Sequence, residues 1–278
     1  MKENTNKWAA TIGLRLLAVT LTLACGTIAA TAKPTAHIAG YRQINLVSDL
    51  PRLAQLVDTN LVNPWGMSFS GTGPFWVSDN GAGLVTLYTV TNRGAAQIVT
   101  KEGLEVAIPG EGAPTGQVFD GAGAFNGDVF IFAGEDGTIS GWKGSLGSAA
   151  ELLASRSNAV YKGITLVTNT GSPLLLLANF REGTIDVYDT SFNLVQYADT
   201  NVPAGYAPFN VQTVGGFVFV TFAKQDAAQH DDVAGAGNGL IEVFNVTGGT
   251  FHRFATGASV GGTLSAINSP WGMTLAPA

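Results

Sequence analysis

Pro64-Trp65-Gly66-Met67 returns near the end of the chain as Pro270-Trp271-Gly272-Met273, with three looser copies between them: Pro114-Thr115-Gly116-Gln117, Tyr161-Lys162-Gly163-Ile164 and Pro208-Phe209-Asn210-Val211. Self-similarity at a period of roughly 40 to 50 residues marks a repeat architecture before any single element is assigned. Within each complete unit the same order follows. An apolar run comes first, at 75–78, 129–133, 174–178 and 218–223. A polar loop containing glycine comes next, and then a run that alternates apolar and polar residues, at 84–88, 138–142, 184–188 and 240–244. Alternation is the pattern of a half-buried strand, and an unbroken apolar run is that of a strand covered on both faces. A weaker fourth strand closes each unit, as at 97–99 and 251–254. Four antiparallel strands per repeat predict an all-β chain, a β-propeller with four complete four-stranded blades plus the first strand of a fifth. A β-sandwich is the competing architecture, but it gives no reason for the same loop chemistry to return at a fixed place in each unit.

Composition agrees with many short buried strands joined by tight turns: 46% of residues are hydrophobic and only 12% charged, with 36 Gly and 11 Pro. A formal net charge of −6 argues against a nucleic-acid surface, which needs a basic patch to neutralise phosphates. Cys25 is the only cysteine, which rules out an intrachain disulfide and a cysteine-based metal site.

The first 32 residues read as a secretion signal. Lys2, Lys7 and Arg15 supply the positive region, Leu16–Ala24 the apolar region and Ala30-Thr31-Ala32 the small-residue cleavage site. The apolar run falls short of the roughly 20 residues that span a bilayer, so no transmembrane anchor is expected in the mature chain. The alternative is a lipoprotein box ending at Cys25, whose Thr22 is a poor match. Expected boundaries are therefore a signal over 1–32, a linker over 33–40 and the propeller over 41–278. The destination is periplasmic or secreted.

Asn60-Leu61-Val62-Asn63-Pro64-Trp65-Gly66, the Gly-Thr-Ile strands at 137 and 183, the 203–210 segment and Ala223-Lys224-Gln225-Asp226 with His230-Asp231-Asp232-Val233-Ala234-Gly235 carry a family resemblance. From about Leu46 to Ala278 the chain resembles an uncharacterised family of exported bacterial six-bladed propellers related to NHL-type repeats. That resemblance implies about two further blades beyond the second Pro-Trp-Gly motif. It also implies that residues 41–47 form the outer strand of a last blade.

In a propeller, the loops between second and third strands and those between blades emerge on one face. The first set supplies Asp79 and Asn80, Glu135 and Asp136, Asn179 and Arg181, and the long segment from Lys224 to Asn238; the second supplies Asn63, Thr115, Lys162 and Asn268. A polar ligand-binding rim is expected from Asn63, Asp79, Asn80, Glu135, Asp136, Asn179, Arg181, Lys224, Asp226, His230, Asp231 and Asp232. Within the long segment, Asp226, Asp231, Asp232 and Asn238 are oxygen ligands of the kind Ca²⁺ takes, although their spacing is not that of an EF-hand loop. His230 beside two aspartates could serve as a general base, but neither a nucleophile motif nor a usable cysteine accompanies it. Gly235-Ala236-Gly237-Asn238-Gly239 is followed by a strand and not a helix, which argues against a nucleotide loop. Trp65, Trp76, Trp142 and Trp271 are expected in packing roles.

Two functions fit these observations. One is a binding module offering its rim to an extracellular or periplasmic protein, peptide or glycan. The other is a Ca²⁺-dependent hydrolase or lactonase, by analogy with six-bladed propeller enzymes, with Asp79, Asn80, Glu135, Asn179, Asp226 and Asn210 as candidate ligands.

Overall fold

A computed structural model describes residues 43–94, 96–168, 170–257 and 267–275. The signal, the linker and residues 41 and 42 lie outside the described residues. The described chain is almost wholly β, its one helical element being a short 3-10 turn at Gly144–Leu146.

Sixteen strands form four antiparallel sheets, each in simple sequence order. Numbering starts with a small preceding pair, β1 (Val47–Ser48) and β2 (Leu56–Val57). Blade 1 then comprises β3 (Pro64–Phe69), β4 (Phe75–Asp79), β5 (Leu84–Arg93) and β6 (Ala96–Ala107). Blade 2 is β7 (Pro114–Phe119), β8 (Phe130–Gly134), β9 (Thr138–Trp142) and β10 (Glu151–Ser155). Blade 3 is β11 (Tyr161–Val167), β12 (Leu174–Asn179), β13 (Thr184–Tyr188) and β14 (Leu194–Tyr197). Blade 4 is β15 (Tyr206–Val214), β16 (Phe217–Lys224), β17 (Gly239–Asn245) and β18 (Thr250–Thr256). The four β-propeller blades are those that the sequence repeat predicts.

Successive side chains of a strand point to opposite faces, which explains the unbroken apolar second strands. In β12, Leu175 and Leu177 join a core shared with Ile131, Ala133 and Ile139 of blade 2. The intervening Leu176 and Ala178 join one shared with Val218, Val220 and Phe222 of blade 4. The second strand of blade 2 behaves likewise: Phe130 and Phe132 pack with Trp76, Val85 and Leu87 of blade 1. Stacking of Trp76 on Phe130 at 3.8 Å between centroids and its contact with Trp142 at 4.8 Å give that seam an aromatic centre.

The first strands β3, β7, β11 and β15 lie side by side around an inner space. Their repeated glycine is a steric requirement. A Cβ on Gly66 would stand 2.5 Å from the Thr115 carbonyl oxygen, one on Gly116 2.6 Å from the Ile164 nitrogen, and one on Gly163 2.9 Å from the Asn210 Cα. Each inner strand therefore seats its backbone on that of the next. Side chains stitch the same seams: Gln117 donates to the Gly66 carbonyl at 2.9 Å and Thr115 to the Tyr161 carbonyl at 2.8 Å.

Two expectations change in detail. Val47–Ser48 pairs in parallel with Leu56–Val57, so the end of the 41–47 segment finds a local partner in its own following turn. Backbone bonds from Gln55 and Leu56 to the carbonyls of Asn45 and Leu46 make this local pairing available at little loop-closure cost. The start of the fifth repeat runs beside β15 without a backbone ladder. Asn210 donates to the Trp271 carbonyl at 2.6 Å, and the Gln212 amide both donates to the Met273 carbonyl, at 2.6 Å, and accepts from its N–H, at 3.0 Å.

Candidate functional site

Loops from all four blades meet at the end of the inner space where the β4–β5, β8–β9, β12–β13 and β16–β17 connections emerge. A chain of side-chain hydrogen bonds crosses them. Asn63 donates to Asn80 at 3.0 Å, and Asn80 donates to Glu135 Oε2 at 2.9 Å. Lys162 Nζ donates to the other oxygen of Glu135 and, at 3.3 Å, to Asp231 Oδ1. His230 Nδ1 stands 3.1 Å from that same Asp231 oxygen. Asn63 enters this chain from a left-handed backbone, φ 49°, which only a few residue types with short polar side chains adopt readily.

Lys162 is the buried centre of the network, 1% exposed. Its ammonium also lies 5.2 Å from the centroid of the Trp65 ring, a cation–π distance. Trp65 in turn meets Phe209 at 5.9 Å and Trp271 at 5.6 Å, both edge to face, and the Trp271 indole N–H donates to the Lys162 carbonyl at 2.9 Å. These residues occupy equivalent positions, each preceding the repeat glycine or its substitute. On the far side of the aromatic layer a cavity of about 530 Å³ is bounded by the inner strands.

The long segment between β16 and β17 is an ordered strap. Asp226 Oδ1 accepts the backbone N–H groups of His230 at 2.9 Å and Asp231 at 3.3 Å, closing a turn that sets Asp231 against Lys162 and His230 against Asp231. Gln225 donates to the Phe180 carbonyl of blade 3 at 2.5 Å, and Gln225 and Asp232 form an isolated antiparallel bridge. Asn238 donates to the Val233 carbonyl at 2.9 Å and accepts from Tyr206 at 3.3 Å. Partial burial would raise the Asp231 pKa, but the bond from His230 and the positive charge of Lys162 outweigh it and hold the carboxyl below its ordinary value.

Of the rim residues expected from sequence, the structure thus joins Asn63, Asn80, Glu135, His230 and Asp231. Asp136 caps its own turn, accepting from the Thr138 backbone at 3.1 Å and from the Glu111 N–H at 2.9 Å. Arg181 is half-buried beside the strap and offers its carbonyl to Gln225, while Lys224 is exposed at the end of β16. Of the four oxygen ligands considered for Ca²⁺, Asp226 accepts backbone N–H groups within the strap, and Asn238 bonds both the strap's Val233 carbonyl and Tyr206 of β15. Asp79 and Asn179 are fully buried inside blades 1 and 3. Asp79 accepts from Thr86 at 2.6 Å, and burial pushes its carboxyl up to about 7, the Thr86 bond opposing and the Asp58 charge adding to the shift. Asn179 donates to Asp186 at 3.1 Å and to Glu182 at 2.8 Å. Lys162, which the sequence places among the between-blade residues of this face, is the member that the expected rim leaves out. Its signal is a lysine at a repeat position where Trp65, Phe209 and Trp271 carry aromatic rings.

No protein-family model matches the chain. Two uncharacterized proteins of Acanthamoeba polyphaga mimivirus do: one is 27% identical over 268 residues, covering 88% of this chain and 67% of the relative. The other is 26% identical over 267 residues, covering 88% of this chain and 62% of the relative, so the chain spans roughly two thirds of their length. These relatives are viral, whereas the family resemblance implied bacterial ones. Among solved structures, a streptogramin B lyase matches 72% of this chain and 70% of its own with a TM-score of 0.45 and 11% identity. A putative 6-phosphogluconolactonase from Bacteroides uniformis matches 74% of this chain and 56% of its own with a TM-score of 0.44 and 13% identity. The likeness to both lies in the sheet arrangement alone. Among the described residues, no helix is long and apolar enough to cross a membrane.

Proposed function

We propose that this chain is an exported β-propeller binding module whose strap-bearing rim receives a polar partner: a protein, peptide or glycan outside the cytoplasm. The observation that carries the reading is the hydrogen-bonded chain from Asn63 through Asn80, Glu135, Lys162 and Asp231 to His230, which spans all four blades on one face. Loops held by a rigid scaffold are the usual place for recognition. Here the scaffold pre-organises the donors and acceptors, so binding need not order them again. The buried members, Lys162 above all, fix the geometry. Asp231, 70% exposed, and His230, 38% exposed, are the parts that a partner can reach. Export is supported by the charged, apolar and small-residue order of the first 32 residues.

The test is to probe peptide and glycan arrays with purified chain, then repeat any positive with Asp231→Ala, Asn80→Ala and, on the opposite face, Phe217→Ser. Signal lost in the first two and kept in the third is the expected result. Silent arrays, or signal indifferent to the rim substitutions, count against the reading.

A further inference from the structure

Glu135, His230 and Asp231 each offer a ligand atom, and these atoms all lie within 4.8 Å of one another. They come from loops of two different blades, so the approach is a product of the tertiary fold and not of local sequence. We propose that this point is a binding site for a single divalent transition-metal ion, Zn²⁺ in the first instance, held by Glu135, Asp231 and the His230 imidazole in exchange for the Lys162 ammonium.

Two independent features converge on it. The first is the donor set. An imidazole with two carboxylates suits Zn²⁺ or Co²⁺, whereas Ca²⁺ and Mg²⁺ take oxygen ligands alone. Ligands about 2.0–2.2 Å from one such ion stand roughly 3–3.5 Å from each other, which small side-chain adjustments reach from the observed separation. The second feature is the buried ammonium. Lys162 already brings a positive charge between the two carboxylates while 1% exposed, so this position is built to hold a cation.

Exchange has a mechanical route. The ammonium rides on a flexible four-carbon stem, and the Trp65 face 5.2 Å away offers it another partner once the carboxylates are engaged. The strap makes the site conditional on its own fold, because Asp226 presents His230 and Asp231 together through their backbone N–H groups.

This inference is independent of the binding-module reading, since the metal alone is the probe. Full-length untagged chain is titrated with Zn²⁺ by calorimetry and with Co²⁺ by visible absorption, beside His230→Ala, Glu135→Gln and Lys162→Met. The expected result is one ion per chain and Co²⁺ bands of a mixed nitrogen and oxygen site. Loss of a ligand should weaken binding at least ~10-fold, the lower end of what losing even an outer-shell partner costs. Lys162→Met should bind more tightly than wild type, because the competing cation is gone. Equal Zn²⁺ affinity in wild type and His230→Ala overturns the proposal, as does a folded Lys162→Met chain with no gain. His230 and Glu135 lie in loops, so their variants keep the test decisive even if Lys162→Met does not fold.

Discussion

Asp79 is the last residue of β4, one position before Asn80, and that single step separates the blade interior from the rim. Consecutive strand side chains face opposite ways, so Asn80 reaches Glu135 while Asp79 turns inward to Thr86. Its raised pKa has a consequence for stability. With a folded value of about 7 against 3.8 unfolded, the native state holds a proton that the unfolded chain releases. The contribution of Asp79 is thus fully present below the unfolded value and is lost as pH rises toward 7. Glu242, pushed up to about 7 by burial and by Asp199 against the pull of Arg253, acts in the same direction. Asp58 acts oppositely: despite its burial, Lys101 and Tyr88 hold it low, so its contribution is lost in acid. Asp79→Asn keeps an acceptor for Thr86 and removes the charge, so it should raise the melting temperature at pH 8 and change it little at pH 4. Thermal unfolding at both pH values checks this; equal gains at both would show that the charge is not the cause. The same alternation limits what sequence can say about the site. Loop positions such as Glu135 and His230 are legible from their place in the repeat, but the inward or outward facing of a strand-end residue needs the register.

At the scale of the strand, the repeat glycines carry the strongest constraint. Gly116→Ala drives a Cβ to 2.6 Å from the Ile164 nitrogen and 2.9 Å from the Gly163 Cα, where only backbone can yield. Overpacking of that kind costs about 1–3 kcal/mol. Gly183 has open space around it but a φ of 71°, so Gly183→Ala meets backbone strain of roughly 1–2 kcal/mol instead. Gly103 has neither restriction and should tolerate alanine. Denaturant midpoints of the three variants should fall well below, below and close to wild type for Gly103→Ala as the last; a lowered midpoint for Gly103→Ala alone would contradict the packing described. The same positions explain why the elements were so readable. Each unit repeats its hydrophobic period and its turn glycines, and the predicted second and third strands fall on β4, β5, β8, β9, β12, β13, β16 and β17. What local pattern does not contain is pairing choice. Residues 47–48 have strand character, and only the nearby 56–57 segment determines that the pair is local and parallel.

For the molecule as a whole, every internal blade shares both of its faces, so neighbouring blades should unfold together. Leu176 and Leu177 test this from adjacent positions, both with no exposed surface, the first packed toward blade 4 and the second toward blade 2. Truncating either to alanine should cost about 2–5 kcal/mol. Circular dichroism and tryptophan emission should still report one coincident transition in each variant, whereas separated transitions would mean that the blades melt as independent units. Lys162 shows why the site is only partly visible at this scale, since its partners Glu135 and Asp231 belong to different blades and no local spacing links the three. The placement of its ammonium over Trp65 also gives the chain an intrinsic optical gauge. Whatever moves that charge relative to the indole face, whether an ion that releases it from the carboxylates, a partner or a shift of the strap, alters the electric field at a chromophore already in place, so occupancy of the rim can be followed by emission wavelength with no label attached.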